Sequence, residues 1–437
     1  MHPTHSQSFA APRATKGPRV DRGGASPQSR KFNGSGPLAA FGIAVGCFRA
    51  SPAMADAVTE WNIRAGEFVT AAGLGTPPAN RLMAIAHSAA YEAANAITGR
   101  YPAAGVKLVA APDASVDAAI AAAHRAVFTR LVPSQQAAIE RGYEAALGKL
   151  AAGAARDGGV AVGAAAAAAL LALRTDDGAA ASEAYRPHTS AGAYVPTVVP
   201  AVVQWPQRTP WLMTSAAQFR PGPPPPLVSE RWARDYNEVK ALGAKRSPNR
   251  TPEQTEIARF WEATLPPIYH GLVRCVADLP GRDVTRNARL FAAVTQASDD
   301  ALIAVFDAKY HHGFWRPVTA IRNGDIDAND ATERDPAWLP FIDTPMHPEY
   351  PCAHCIVAAA VGVVLQADIG NGPQPVWTTT SATANGAARA WPNLDAFVQE
   401  VANARIYDGV HYRFSTETGA AMGRQIGALA VARHLRD

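Results

Sequence analysis

Apolar positions recur at helical spacing along most of the chain. In Val116–Leu131 the residues Ile120, Val127, Phe128 and Leu131 share a face, Ser115 is placed to cap the start, and Pro133 stands just beyond the end. Ile139, Tyr143, Ala146, Leu147 and Leu150 repeat the pattern after Ser134, which predicts a helix, tight turn, helix unit. Residues 160–173 are almost all Ala, Val and Leu; fourteen residues fall short of the roughly 20 that a membrane span needs, so a buried core helix is expected. From 185 to 227 the texture turns Pro-rich and aromatic, with Gln204-Trp205-Pro206 and the proline-rich run Pro221 to Pro226 that block helix formation. That stretch reads as an extended connection wrapped over the surface between two helical halves. Helical pattern returns from Ser229 through Lys309, after His354, and from Asn393 to about Val410. Alternating strand-type patterns are scarce, so the fold class expected is all-α: helical bundles joined by an extended Pro-rich connection.

The front of the chain differs. Residues 1–36 are rich in Pro, Gly, Ser and basic side chains, and a 12-residue apolar run, 37–48, leads to Ala53-Met54-Ala55. This is the pattern of a secretory signal peptide cleaved near Ala55, and it places the mature protein in the periplasm or outside the cell. The expected division is a leader at 1–55, an amino-terminal helical region with its Pro-rich linker at 56–227, and a helical domain carrying the chemistry at 228–437. The 437 residues carry a formal charge of +4. The leader holds seven basic residues and one acid, so the remaining 382 residues carry −2. No net positive field remains for a nucleic-acid partner, and the mature chain shows no integral membrane span. Three cysteines remain after cleavage, Cys275, Cys352 and Cys355, too few for a disulfide scaffold.

Candidate chemistry sits in three clusters of the last third. The first is Lys309 to Arg316-Pro317, two cations seven apart that a helix would project from one face before Pro317 ends it. His347-Pro-Glu-Tyr-Pro351-Cys352-Ala353-His354 is the second, and it runs into an apolar helix whose free N–H groups favour an anion. The third is Arg405 to His411, where Gly409 breaks the helix so that the two side chains can converge.

Taken in order, Lys309-x6-Arg316-Pro317, Pro351-x-x-His354 and Arg405-x5-His411 resemble the signature of the vanadium-dependent haloperoxidase and type 2 phosphatidic acid phosphatase superfamily. The bacterial haloperoxidase branch is the more similar, on Asp307-Ala-Lys309-Tyr310, Phe314-Trp315-Arg316-Pro317, His347-Pro-Glu-Tyr-Pro351 and Gly409-Val-His411-Tyr-Arg-Phe414. Further similarity in Glu60-Trp61-Asn62, in 87–97 and in Gln218-Phe219-Arg220-Pro221 extends it over about 58–432. The resemblance implies vanadate as cofactor, with Lys309, Arg316, Arg405, Cys352 and the backbone N–H of Ala353 around its oxygens. It implies His411 as the imidazole bonded to vanadium and His354 as the acid/base group. His347, Trp315 and Ser415 would stand near the halide or behind the anion's partners. His347 occupies the position that is His in the family's bromoperoxidases and Phe in its chloroperoxidases, which favours bromide. The expected partners are hydrogen peroxide, halide and a small organic acceptor, with a homo-oligomer among the possible assemblies. Two alternatives use the same pocket: phosphomonoester hydrolysis through phosphohistidine at His411, and non-catalytic oxyanion binding.

Departures from the family pattern weigh on activity. Where the family has Pro-Ser-Gly-His, this chain has Pro351-Cys352-Ala353-His354, so a weak S–H donor replaces a hydroxyl and a Cβ replaces the glycine's freedom of approach. Four residues after His411 the family often carries an orienting Asp; here it is Ser415, which predicts an unoriented imidazole. A thiol beside peroxide is open to oxidation, so Cys352 and Cys355 are expected to be paired or protected, or turnover to be short-lived. His124 reads as a packing or surface residue, His311 and His312 as makers of structural hydrogen bonds. Asp299 and Asp300 are expected either to reach the site or to lie on a helix surface.

Overall fold

Side-chain caps open many of the helices in the computed structural model, which describes residues 56–102, 105–262 and 265–435. The leader, its cleavage point and Cys47 lie outside the described residues. Asp56 caps α1 (Ala57–Ala71), followed by α2 (Thr76–Thr98). Ser115 accepts from Ala118 N at the head of α3 (Val116–Leu131), at the bounds the apolar spacing predicts. Then come α4 (Gln136–Leu147) and α5 (Ala154–Leu173). The 229–309 stretch is four helices, not a continuous pattern: α6 (Glu230–Leu242), α7 (Pro252–Phe260), α8 (Pro266–Ala277) and α9 (Val284–His312). Prolines at the first turns of α7 and α8 mark the new starts, where a missing N–H costs nothing. The last third holds α10 (Pro317–Arg322), α11 (Ala353–Ile369), the strands β1 (Trp377–Ser381) and β2 (Ala387–Trp391), α12 (Leu394–Tyr407) and α13 (Arg413–Ala430). β1 and β2 form an antiparallel hairpin, Trp377 opposite Trp391, leaning on α8 through Thr379 Oγ1 donating to the Ile268 carbonyl. The architecture is all-α as expected, with this hairpin as a small addition.

The centre of the molecule is α9, buried along most of its 29 residues. α2 of the amino-terminal region packs on it, as do α11 and α13, so one apolar core joins the 56–227 and 228–437 regions. α5 departs from expectation. It buries one face, Val162, Ala166, Ala167 and Leu170, against α3 and α2, and leaves Leu173 exposed, so it is a half-buried outer helix.

The Pro-rich connection is anchored rather than loosely draped. Arg208 pairs with Asp299 at 2.6 Å and with Asp177 at 2.8 Å; the backbone N–H groups of Trp211, Leu212 and Met213 donate to Asp300; Arg220 grips Asp307 through two bonds. Asp299 and Asp300 are fully buried, so both expectations for them are corrected: they are neither surface acids nor part of the anion site, but clamps on this connection. Near its start, an isolated bridge joins Ala193 to Phe314 and Trp315 N donates to the Gly192 carbonyl, fixing the backbone just ahead of Arg316.

Candidate active site

Glycine decides how closely the two halves of the site meet. Gly419, Gly423 and Gly427 face α11 along α13, and a Cβ on Gly423 would sit 2.1 Å from the Ile356 carbonyl oxygen. Gly419 is as constrained, 2.5 Å from the Cys352 carbonyl oxygen. This contact sets His411, just before α13, and Ser415, in its first turn, against Cys352 and His354 at the head of α11.

Lys309 lies in the last turn of α9 and Arg316 caps α10, so the shared helix face is corrected. Gly313, in the left-handed region at φ 57°, closes α9, and Pro317 opens the next helix instead of ending the first. The two cations still converge. Lys309 Nζ donates to the carbonyls of Glu349 (2.7 Å) and Pro348 (3.1 Å). Arg316 donates to the His347 carbonyl (2.9 Å), the Val410 carbonyl (2.8 Å), His347 Nδ1 (2.9 Å) and His411 Nε2 (3.3 Å). Arg405 follows in the last turn of α12, donating to Asp408 (2.6 Å) and the Trp261 carbonyl (3.0 Å). Beyond it Gly409, at φ 77°, turns the chain so that His411 N reaches back to the Arg405 carbonyl. All three cations are buried. Among the described residues, Lys309 and Arg316 form no ion pair.

The expected unoriented imidazole is also corrected. Glu349 Oε1 lies 2.6 Å from His411 Nδ1 and accepts from Tyr412 N at 3.2 Å, while Ser415 Oγ stands farther off at 3.4 Å. A carboxylate on Nδ1 fixes the proton there and leaves the Nε2 lone pair free, and the guanidinium donating towards Nε2 requires the same tautomer. Glu349 thus occupies the role of the missing Asp from another segment. It belongs to the His347-Pro-Glu-Tyr-Pro motif, but an isolated acid in a loop has no spacing that announces a partner 62 residues away.

Cys352 is the N-cap of α11, its sulfur accepting from Cys355 N at 3.4 Å, with Cys355 Sγ 2.8 Å from Cys352 Sγ. Both are free thiols. Ala353 and His354 are the first two residues of α11, whose N–H groups have no carbonyl one turn back within the helix. His354 is buried and its Nε2 has no hydrogen-bond partner; the same is true of Arg405 Nε. Half-buried His347 stacks its edge on Phe306, and Trp315 lies parallel to Trp232 with centroids 5.8 Å apart. Trp315 and Arg316 form part of the wall of a cavity of about 700 Å³ that also includes Tyr194, Phe341 and Met346. Of the other histidines, His124 is fully buried between Trp61 and Phe128, and His312 Nε2 donates to the Pro221 carbonyl at 3.1 Å, both structural roles.

The electrostatics follow from burial without enough counter-charge. Burial pushes Lys309 well down and Arg316 down to about 10, and holds His411, His354 and His347 well below the ordinary imidazole value. Burial also lifts Glu349 to about 7 against the pull of Lys309, and Asp408 to about 7 against Arg405. For Cys352 burial would raise the thiol, yet the Cys355 hydrogen bond and Arg405 bring it down to about 7, while burial drives Cys355 well up. An anion among these cations would reverse their depression. Unpartnered Arg405 Nε, with Lys309 and Arg316 forming no ion pair among the described residues, gives a donor set that fits an oxyanion such as vanadate or phosphate, and unpartnered His354 Nε2 would join it once protonated.

Residues 289–436 match the family model of the VCPO second helical-bundle domain. Over 144 aligned residues the chain is 32% identical to vanadium chloroperoxidase of Curvularia inaequalis, covering 27% of this chain and 23% of that protein. The chain therefore matches less than a quarter of that curated relative's length. Among solved structures, a bacterial vanadium-dependent iodoperoxidase is similar with a TM-score of 0.72 at 22% identity, over 86% of this chain and 96% of that one. A holo-type bacterial vanadium-dependent chloroperoxidase is similar with a TM-score of 0.63 at 18% identity, over 83% and 93%. At those identities the structural likeness is one of fold.

Proposed function

We propose that this chain is a member of the vanadium-dependent haloperoxidase family, structurally related to the PAP2-like phosphatases, and that it oxidises halide with hydrogen peroxide using vanadate. The observation that carries this reading is the pair of buried cations, Lys309 and Arg316, with no ion pair, beside the unpartnered Arg405 Nε and His354 Nε2. Lys309, Arg316 and Arg405 would hold the oxygens, with the N–H groups at the head of α11 and the Cys352 thiol beside them. Bound there, vanadate supplies the electron-poor centre that activates peroxide for oxygen transfer to halide.

The protein's own part is orientation and proton control. Glu349 keeps the His411 proton on Nδ1, so Nε2 presents a lone pair to the anion. His354, neutral by burial, can take a proton on entry of peroxide and return it to the departing oxygen. Arg316 ties His347 and His411 to one guanidinium, which fixes the halide-side residue relative to the anion-side imidazole. The cavity bordered by Trp315 and Arg316 is large enough for a small organic acceptor. His347 supports bromide as the halide, and the leader supports export with removal near Ala55; the 56–227 and 228–437 regions would then travel as one mature chain.

The test is halogenation of an organic acceptor by purified protein given vanadate, peroxide and bromide, run beside hydrolysis of a phosphate ester without vanadate. Vanadate-dependent halogenation that His411→Ala abolishes is the expected result. Ester hydrolysis without halogenation would replace this reading with the phosphohistidine one.

A further inference from the structure

Two thiols at the head of α11 have no part in holding a proton or orienting His411, yet they touch each other inside the anion site. Cys352 and Cys355 are fully buried, three residues apart across the first helical turn, with sulfurs at 2.8 Å. We propose that they form a peroxide-reactive dithiol that closes to a disulfide at the site. An S–S bond is about 2.05 Å, so the sulfurs need to approach by less than about 1 Å. Their surroundings suit a thiolate: the helix N-terminus and the positive charges of Arg405 and Lys309 all bear on Cys352. Cys275 is the internal contrast, its thiol turned to the carbonyls of Gly271 and Thr378 far along the sequence from the site.

The chemistry balances with hydrogen peroxide as oxidant. Cys352 sulfur attacks one peroxide oxygen; the O–O bond breaks, an S–O bond forms, and the departing hydroxide takes the Cys352 proton and leaves as water. Cys355 sulfur then attacks the sulfenic sulfur of Cys352; the S–S bond forms, the S–O bond breaks, and the hydroxide leaves as water with the Cys355 proton. Two thiols and one peroxide give one disulfide and two waters, each sulfur losing one electron. Closure diverts Cys352 from the irreversible sulfinic and sulfonic acids. The inference rests on the proposed function only in that peroxide enters this pocket.

The test is run on full-chain protein, reduced and freed of vanadate and halide, so that it reads thiol state rather than turnover. The protein is exposed to a few equivalents of hydrogen peroxide, denatured in an alkylating agent and mapped by mass spectrometry. The peptide carrying Cys352 and Cys355 should lose two hydrogens and resist alkylation until dithiothreitol is added, while Cys275 stays fully alkylated. Cys355→Ser should let Cys352 advance to sulfinic acid under the same treatment. The proposal is overturned if both thiols of the wild type remain alkylatable, or if Cys275 oxidises as fast as they do. Disulfide formation in a protein that does not halogenate would leave this proposal standing and remove the haloperoxidase reading; halogenation without the disulfide would do the reverse.

Discussion

At the scale of single residues, the site is a set of cations and imidazoles whose value depends on what stands behind them. His411 would be an indifferent ligand without Glu349 on its Nδ1. Glu349→Gln should therefore weaken vanadate binding about tenfold to a hundredfold, the range for losing a partner that orients a ligand. Ser415→Ala, removing a group at 3.4 Å, should cost far less. Calorimetric titration of the two variants with orthovanadate checks this, and equal losses would return the orienting role to residue 415. Lys309, Arg316, His354, Arg405 and His411 were legible in the sequence because ordered spacings of cation and imidazole are uncommon. Glu349, Asp408 and the carbonyls of Trp261, His347 and Val410 were not, since their roles come from chain reversals that no local spacing encodes.

At the scale of elements, helix existence was legible and helix punctuation less so. Ser115 and the apolar face of α3 give both its bounds, whereas Pro317 reads equally as a stop or a start until Gly313 is seen to close α9 first. Asp299 and Asp300 mislead for another reason: their partners are backbone and arginine groups of a Pro-rich stretch with no period to match. The α11–α13 contact makes a sharper prediction. Gly423→Ala places a Cβ 2.1 Å from a backbone oxygen and should destabilise by about 1–3 kcal/mol or more through overpacking. Gly362→Ala, on the same α11 but with its nearest neighbour at 3.5 Å, should be neutral or stabilising by up to about 1 kcal/mol through helix propensity. Urea unfolding of both variants measures the difference, and equal effects would contradict the close packing that sets His411 against His354.

At the scale of the whole molecule, the amino-terminal helices and α8 share a buried polar cluster with its own pH signature. Asn62 bonds both His87 Nε2 and His270 Nδ1, and His124 stacks against Trp61 beside them. Burial lowers His124 to about 4 and His270 to about 3. A histidine whose folded value lies below its unfolded one gives its full stability above about pH 6.5, and that stability is lost as pH falls towards the folded value, because the unfolded chain takes up the proton first. His124 alone should account for about 3 kcal/mol between pH 6.5 and 4. Glu349 and Asp408, lifted to about 7, act in the opposite direction, so the cleanest reading is a difference. His124→Phe, which keeps a ring between Trp61 and Phe128, should unfold in urea much as the wild type does near pH 7.5 and be the more stable of the two near pH 5. A parallel pH dependence in both would remove His124 from the acid limb. On the proposed reading the fold brings three buried cations and two imidazoles, scattered over about a hundred residues, around one anion, and equilibrium titration with orthovanadate tests that most directly. The wild type should bind one ion per chain, displaced by phosphate, and Arg316→Met should weaken it by about tenfold to a hundredfold; no saturable binding in the wild type, or unchanged binding in the variant, would contradict the account.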